Sequence, residues 1–204
     1  MIAPLAFLAG ALTWSASEYV IHRFVGHGRK RTRPRTIAAQ LTPSGLAAAF
    51  NAEHLAHHAD PSYFAPTSQK VAAAVVVTGT AAAVGSLLLG PRRGLSFAVG
   101  FGASYAAYEV LHRRVHTHPP RGRYGRWLRR HHLFHHHKTP RSNHGVTTPL
   151  WDRVFDTEVP VSERIRVPRR AAPPWMLDER GGLRPELAAD YELVGAGDSP
   201  RVAV

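Results

Sequence analysis

Ten of the chain's 14 histidines stand in four clusters: His22 with His27, His54 with His57 and His58, His112 with His116, and His132 with His135 and His136. Imidazole is the commonest side-chain metal ligand and titrates near neutrality. Crowded at i, i+3 and i+4, it forms an array whose use is to bind metal. Residues three and four apart share one face of a helix, so His54, His57 and His58 project together if their segment is helical, as do His132, His135 and His136. His112 and His116 stand one turn apart. His22 and His27 are five apart, roughly 140° around an ideal helix; they converge only if the helix ends, or a π-type bulge intervenes, between Phe24 and Gly26. The first helix is expected to break there, with Gly26 easing the backbone.

The arrangement occurs twice. Glu18-Tyr-Val-Ile-His22-Arg23 parallels Tyr108-Glu109-Val-Leu-His112-Arg113, and His54-Leu-Ala-His57-His58 parallels His132-Leu-Phe-His135-His136. Each half supplies a histidine at the end of an apolar run and an HLxHH segment further on, as two half-sites meeting at one centre require. Ten imidazoles exceed the needs of one tetrahedral zinc, whereas two metals use most of them. A ligating histidine commonly donates its other N–H to a carboxylate. Glu18 and Glu109, each within one turn of a histidine, are the candidates for that role, with arginine-paired or solvated carboxylates as the alternative. Glu53 is a weaker candidate, because adjacent helical residues point different ways.

The elements that must position these residues follow from composition. Cysteine is absent, which excludes disulfides, thiolate zinc sites and protein-held iron–sulfur clusters, and leaves nitrogen and oxygen as metal donors. Residues 1–21 are apolar apart from Glu18, residues 71–89 carry no charge, and residues 95–111 carry only Glu109. A bilayer crossing needs about 20 such residues. The first run lacks the basic start of a secretory signal and reads as retained. Gly100, Gly102, Ala103, Ser104, Ala106 and Ala107 in the third permit close helix packing in lipid. If the three runs cross in turn, all four histidine clusters share one side with the basic stretches from Arg23 to Arg35 and from Arg113 to Arg130, while the loop around Arg92 and Arg93 lies opposite. The positive-inside rule makes the histidine side cytoplasmic. The formal charge of +12 thus flanks membrane spans and does not form a nucleic-acid stripe.

The motifs EYVIHRFVGH, EHLAHHADPSYFAP, YEVLHRRVHTHPP and RRHHLFHHHKTPRSNHGVTTPLWDRVF together resemble the fatty acid hydroxylase superfamily, which includes sphingolipid fatty acid 2-hydroxylases, sterol desaturases and carotenoid hydroxylases. The similarity covers roughly residues 18–155. Membrane desaturases share three such boxes; the additional HRRVH box favours the hydroxylases. The resemblance implies a non-haem di-iron centre that uses dioxygen and external electrons to insert oxygen into a lipid C–H bond. The lipid is a fatty acyl chain, sterol or carotenoid. Zinc can replace iron in purified protein. The implied ligands are His22, His27, His54, His57, His58, His112, His116, His132, His135 and His136. In each HLxHH segment the outer pair is expected to serve one metal and the middle histidine the other.

Of the remaining histidines, His131 and His137 read as structural or solvated, and His118 either bends back to the centre or faces solvent. His144 lies in a turn-rich loop where the family often has an aromatic, and reads as a possible wall of the site. Trp151, Asp152 and Arg153 are expected to fasten that loop. Tyr63 and Phe64 read as interfacial anchors, with a lipid-channel lining as the alternative. The expected architecture is all-α: an integral-membrane domain over residues 1–156, with about three spans and cytoplasmic helices that form the di-metal site, then a polar, Pro/Arg-rich tail over 157–204. No electron-transfer module is recognisable, so a ferredoxin-, flavodoxin- or haem-type carrier is expected as partner. Desaturation at the same centre, or a non-catalytic metal-binding membrane protein, are the competing readings.

Overall fold

The computed structural model describes residues 1–195, which form two compact units. The first joins residues 1–18 to residues 65–111. It contains most of α1 (Pro4–Val20), all of α4 (Thr67–Leu89) and the larger part of α5 (Pro91–Thr117). Glycine sets the packing of these helices. A Cβ on Gly100 would lie 2.0 Å from the Phe7 carbonyl oxygen, and one on Gly10 would lie 2.0 Å from that of Phe97. Helix backbones touch there, as small residues permit in lipid. Gly90, with φ of 80°, ends α4, and Gly94 then lets α5 pass against the Ser86 amide. Trp14 packs edge-on against Phe101 and Tyr105, with centroids 5.4 and 4.7 Å away.

Among the described residues, α4 is the one helix whose length and hydropathy suit a membrane crossing. None of its residues is buried. Val71, Val75, Val76, Val77, Val84, Leu87, Leu88 and Leu89 are 48–86% exposed, an apolar surface far beyond the scattered exposure of a soluble monomer. The α1 helix is regular for only 17 residues, and the apolar stretch of α5 is interrupted by glycines, serines and Glu109.

The second unit takes residues 19–64 and the chain from His112 onward. It contains a π-helix over Ile21–Gly26, short α2 (Ile37–Gln40), α3 (Pro43–Ala59), the end of α5, α6 (Gly122–His137) and α7 (Leu150–Val154). Thr42 caps α3 by accepting the Gly45 N–H, and Pro43 fills the first position, where its missing N–H costs nothing. Two prolines stop α5. The carbonyls left at its end are taken by buried Arg129, which donates to the Arg114 and His118 oxygens at 2.9 Å.

Composition marks the stretch after Thr157 as peripheral, and the structure corrects this for much of it. Strands β1 (Ile165–Pro168) and β2 (Tyr191–Val194) pair in parallel, Ile165 opposite Tyr191. They are the departure from an all-α chain. Ile165, Val167, Trp175, Met176 and Tyr191 are buried, and the Trp175 indole donates to the Val115 carbonyl at 3.0 Å. Only Ile165 and Val167 alternate as a strand does, over a stretch of four residues; the other apolar anchors follow no helical or strand period among the prolines and arginines, which is why the sequence conceals them. Residues 196–204, the end of the expected tail, lie outside the described residues.

The glycine contacts give a matched pair of substitutions. Gly100→Ala is expected to destabilise the protein by roughly 1–3 kcal/mol through backbone overpacking. Gly79→Ala, where nothing lies within 4 Å, should change stability by under about 0.5 kcal/mol. Thermal unfolding in detergent distinguishes them, and equal effects would contradict the helix contact.

Candidate metal centre

Two groups of five imidazoles assemble within the second unit. One comprises His22, His27, His54, His58 and His135; the other comprises His57, His112, His116, His132 and His136. In each, one ring nitrogen per residue lies within 4.8 Å of all the others. His54 Nε2 and His135 Nε2 approach His27 Nε2 to 2.8 and 2.9 Å, and His132 Nε2 lies 3.1 Å from His116 Nε2. The groups abut where the His58 and His136 rings stack at 4.0 Å. Both HLxHH segments are helical, and in each the outer pair of rings parts from the middle one. His54 and His58 share a group while His57 joins the other, and His132 and His136 share a group while His135 crosses over.

His22 and His27 converge because α1 passes into the π-helix, whose i+5 bond runs from the His27 N–H to the His22 carbonyl at 3.0 Å. One extra residue per turn cancels the angular offset of the five-residue spacing. Gly26 has a second role that backbone considerations do not reveal. A Cβ there would lie 2.8 Å from Cδ2 of His54, so the absent side chain is the space that ring occupies. Asn51, one turn before His54 in α3, was not a sequence candidate. It is fully buried, its amide donates to the Val25 and Gly26 carbonyls at 3.0 and 2.9 Å, and its Oδ1 accepts the Arg31 N–H. These carbonyls lie at the end of the π-helix, where that of Val25 has one weak backbone bond, from the Gly28 N–H at 3.3 Å. An asparagine inside a helix, where its amide competes with the backbone, is the available signal.

Three of the second ring nitrogens are held by backbone. His22 Nδ1 donates to the His144 carbonyl at 2.5 Å, His57 Nδ1 to that of Tyr63 at 2.8 Å, and His135 Nδ1 to that of Ser142 at 2.7 Å. A donor Nδ1–H fixes the tautomer that leaves Nε2 as a lone pair. Two of these acceptors lie in the loop 142–145, and that loop is itself held. Asn143 adopts φ of 56°, a left-handed backbone that asparagine tolerates, and exchanges two hydrogen bonds with Val159. Asp152, fully buried, accepts the His144 and Gly145 N–H groups at 2.8 and 2.7 Å and the Thr157 hydroxyl. Burial alone would raise its pKa; these bonds and His131 hold it below the usual carboxylate range. Asp152 therefore fastens the loop, as expected.

Two of the three glutamates have partners other than histidine. The Glu109 carboxylate pairs with Lys70 at 2.5 Å, Glu53 pairs with Arg33 and the Tyr63 hydroxyl, and Glu18 is buried. Neither Tyr63 nor Phe64 acts only as an anchor. The Tyr63 carbonyl orients His57, and the Phe64 ring lies 5.2 Å from that of His57. His131 is buried 3.5 Å from Asp152, His118 is exposed beside Thr117, and His137 flanks His136. His144 is buried near His22, His27 and His135 but belongs to neither group of five.

Burial, reinforced by mutual repulsion, holds His22, His54, His58, His116, His132, His135 and His136 well below the usual imidazole range. Burial likewise lowers His27 to about 4. A neutral imidazole is the ligating form. The Nε2 atoms of His22, His58 and His136 are buried without a hydrogen-bond partner, which is costly unless something accepts their lone pairs. Two all-nitrogen donor sets with inward lone pairs fit a pair of transition metals.

The fatty acid hydroxylase family model matches residues 7–157. The chain is similar to a dihydroceramide fatty acyl 2-hydroxylase of Arabidopsis thaliana, 28% identical over 72% of this chain and 58% of that one. It is also similar to the fatty acid 2-hydroxylase of Rattus norvegicus, 31% identical over 76% of this chain and 39% of that one. These relatives are longer, and the chain spans about two fifths to three fifths of them. The structure of full-length scs7p, in which only the hydroxylase domain is visible, superposes with a TM-score of 0.55 at 25% identity, covering 76% of this chain and 56% of that one.

The lowered histidine pKa values set the sign of a pH response in metal-free protein. Unfolded imidazoles take up protons near the ordinary value of 6.5, whereas the folded His27 does so only at about 4. Stability is therefore full above pH 6.5 and lost as pH falls from there toward 4. The slope is about 1.4 kcal/mol per pH unit for each ring kept neutral. Chelator-treated protein should denature at lower urea at pH 5 than at pH 7.5; equal midpoints would contradict burial of neutral rings. Gly26→Ala should displace His54 and lower the metal count toward one per chain at unchanged helix content, while an undiminished count would show that the ring does not need that space.

Proposed function

The chain belongs to the fatty acid hydroxylase family, and from that premise we propose that it hydroxylates a lipid acyl chain at a membrane-bound di-iron centre. One metal would be held by His22, His27, His54, His58 and His135, and the other by His57, His112, His116, His132 and His136. The observation that carries this reading is the exchange of the two middle histidines, which ties both HLxHH helices to both groups. Bound there, two iron ions supply the activation of dioxygen and the oxidant for the C–H bond. The relatives' names, fatty acyl and fatty acid 2-hydroxylase, favour an acyl chain and its second carbon over a sterol or carotenoid, and insertion of oxygen over desaturation.

The protein's part is geometric and electrostatic. Backbone carbonyls at Tyr63, Ser142 and His144 orient three of the rings. Burial keeps the imidazoles neutral and water away, which suits an apolar substrate and a reactive oxidant. Phe64, within 5.2–6.1 Å of the His57, His112 and His116 rings, offers apolar surface beside the second group. We place the centre at the cytoplasmic face of about three spans. Supporting this are the bare apolar surface of α4 and the exposed Ile37 of α2, Leu41 just after it and Leu46 of α3, which suit an interfacial location. Each turnover consumes dioxygen, two electrons and two protons, so an external electron carrier is a necessary partner.

Iron-loaded protein given reductant, labelled dioxygen and an acyl lipid should yield a lipid hydroxyl carrying the label. Loss of two hydrogens without label would replace hydroxylation with desaturation, and the absence of oxygen consumption with zinc as the sole native metal would make the protein non-catalytic. His57→Ala and His135→Ala should each reduce metal content and lower turnover tenfold or more. Full activity of both would overturn the shared centre.

A further inference from the structure

One stripe of α6 turns away from the histidine groups. Arg123, Arg126, Trp127 and Arg130 stand at i, i+3, i+4 and i+7, one face of a helix, and with Arg153 and Glu158 they line a cavity of about 780 Å³ in the second unit. Arg130 is neutralised by Asp190 and Arg153 by Glu158. Arg123 and Arg126 are exposed and form no ion pair among the described residues. The cavity therefore keeps a net positive charge beside an aromatic wall.

From that wall a chain of contacts runs inward. The Trp127 ring lies 4.9 Å from the His131 ring, and His131 Nε2 lies 3.5 Å from the Asp152 carboxylate. Asp152 accepts the His144 N–H at 2.8 Å, and the His144 carbonyl accepts His22 Nδ1 at 2.5 Å. We propose that this arginine-lined cavity is the docking site of an acidic one-electron carrier protein, with Trp127, His131, Asp152 and the His144 peptide as the route to the first histidine group. The inference rests on the hydroxylase reading, which requires external electrons. Each encounter oxidises the carrier by one electron and reduces the histidine-held metal centre by one; no bond in the protein forms or breaks. Unpaired arginines select carboxylates by charge and steer the encounter. A lipid headgroup would use the same arginines but would have no need of the inward chain.

The test uses the full chain in neutral-lipid nanodiscs and an acidic [2Fe–2S] ferredoxin as the probe. Wild-type affinity should fall as salt rises. R123E/R126E should weaken binding at least tenfold, whereas R170E/R180E, which makes the same charge change at exposed arginines outside the cavity, should not. Trp127→Leu should retain binding while slowing anaerobic oxidation of reduced ferredoxin by the iron-loaded protein at least tenfold. Equal weakening by both double variants, or by neither, would overturn the site. So would loss of binding to anionic phosphatidylglycerol vesicles in R123E/R126E with ferredoxin affinity intact, which would assign the cavity to a headgroup. A chain that binds ferredoxin here but incorporates no labelled oxygen refutes the hydroxylase reading and leaves the docking site standing. Labelled product with ferredoxin affinity insensitive to R123E/R126E does the reverse.

Discussion

Ten imidazoles packed ring against ring, shielded from water, can share one interior only while nearly all of them are neutral. Each proton added would bury a cation among rings that already repel it. The same neutrality makes each ring a ligand, so the constraint that shapes the interior also prepares it for metal. The protein bears the cost of desolvating these nitrogens in the metal-free fold, and their inward lone pairs are the counterpart of that cost. Most of the unusual local structure in the second unit resolves this problem.

Three devices resolve it at three scales. Within a turn, the π-helix over Ile21–Gly26 brings residues five apart to one side. Within a helix, the HLxHH spacing sends the outer rings one way and the middle ring another, so α3 and α6 each contribute to both groups. Between elements, the loop 142–145 turns its carbonyls onto His22 and His135 and is locked by Asp152 and Asn143. Peptide carbonyls suit this orienting role because they accept without carrying charge. A carboxylate there would stabilise the protonated rings that the interior must exclude.

The gathering of the histidines was legible because helical periodicity puts each cluster on one face, and the break in α1 because five residues cannot align on a regular helix. What stayed hidden depends on where other segments arrive. That Gly26 makes room for His54, that Asn51 closes the π-helix and that Tyr63 orients His57 through its carbonyl are contacts between residues distant in the chain, with no periodic trace. Glu109 was assigned by proximity in sequence to His112 and instead pairs with Lys70, whereas Glu53, the weaker candidate, pairs with Arg33 as the alternative reading had it. The chain after Thr157 was misread for a related reason: its core contacts are made by isolated large residues such as Trp175 and Tyr191, which composition averages away.

Residue 144 illustrates how backbone and side chain divide the work. Its N–H is fixed by Asp152 and its carbonyl holds His22, so what the centre uses of this residue is the peptide group. The ring lies outside both groups of five and hydrogen-bonds the Arg141 backbone. His144→Phe would keep both peptide bonds of this residue and lose only the ring's bond to the Arg141 backbone. Asp152 admits no such freedom. It alone accepts from two consecutive amides and a hydroxyl at once, and no apolar residue of similar volume can do so.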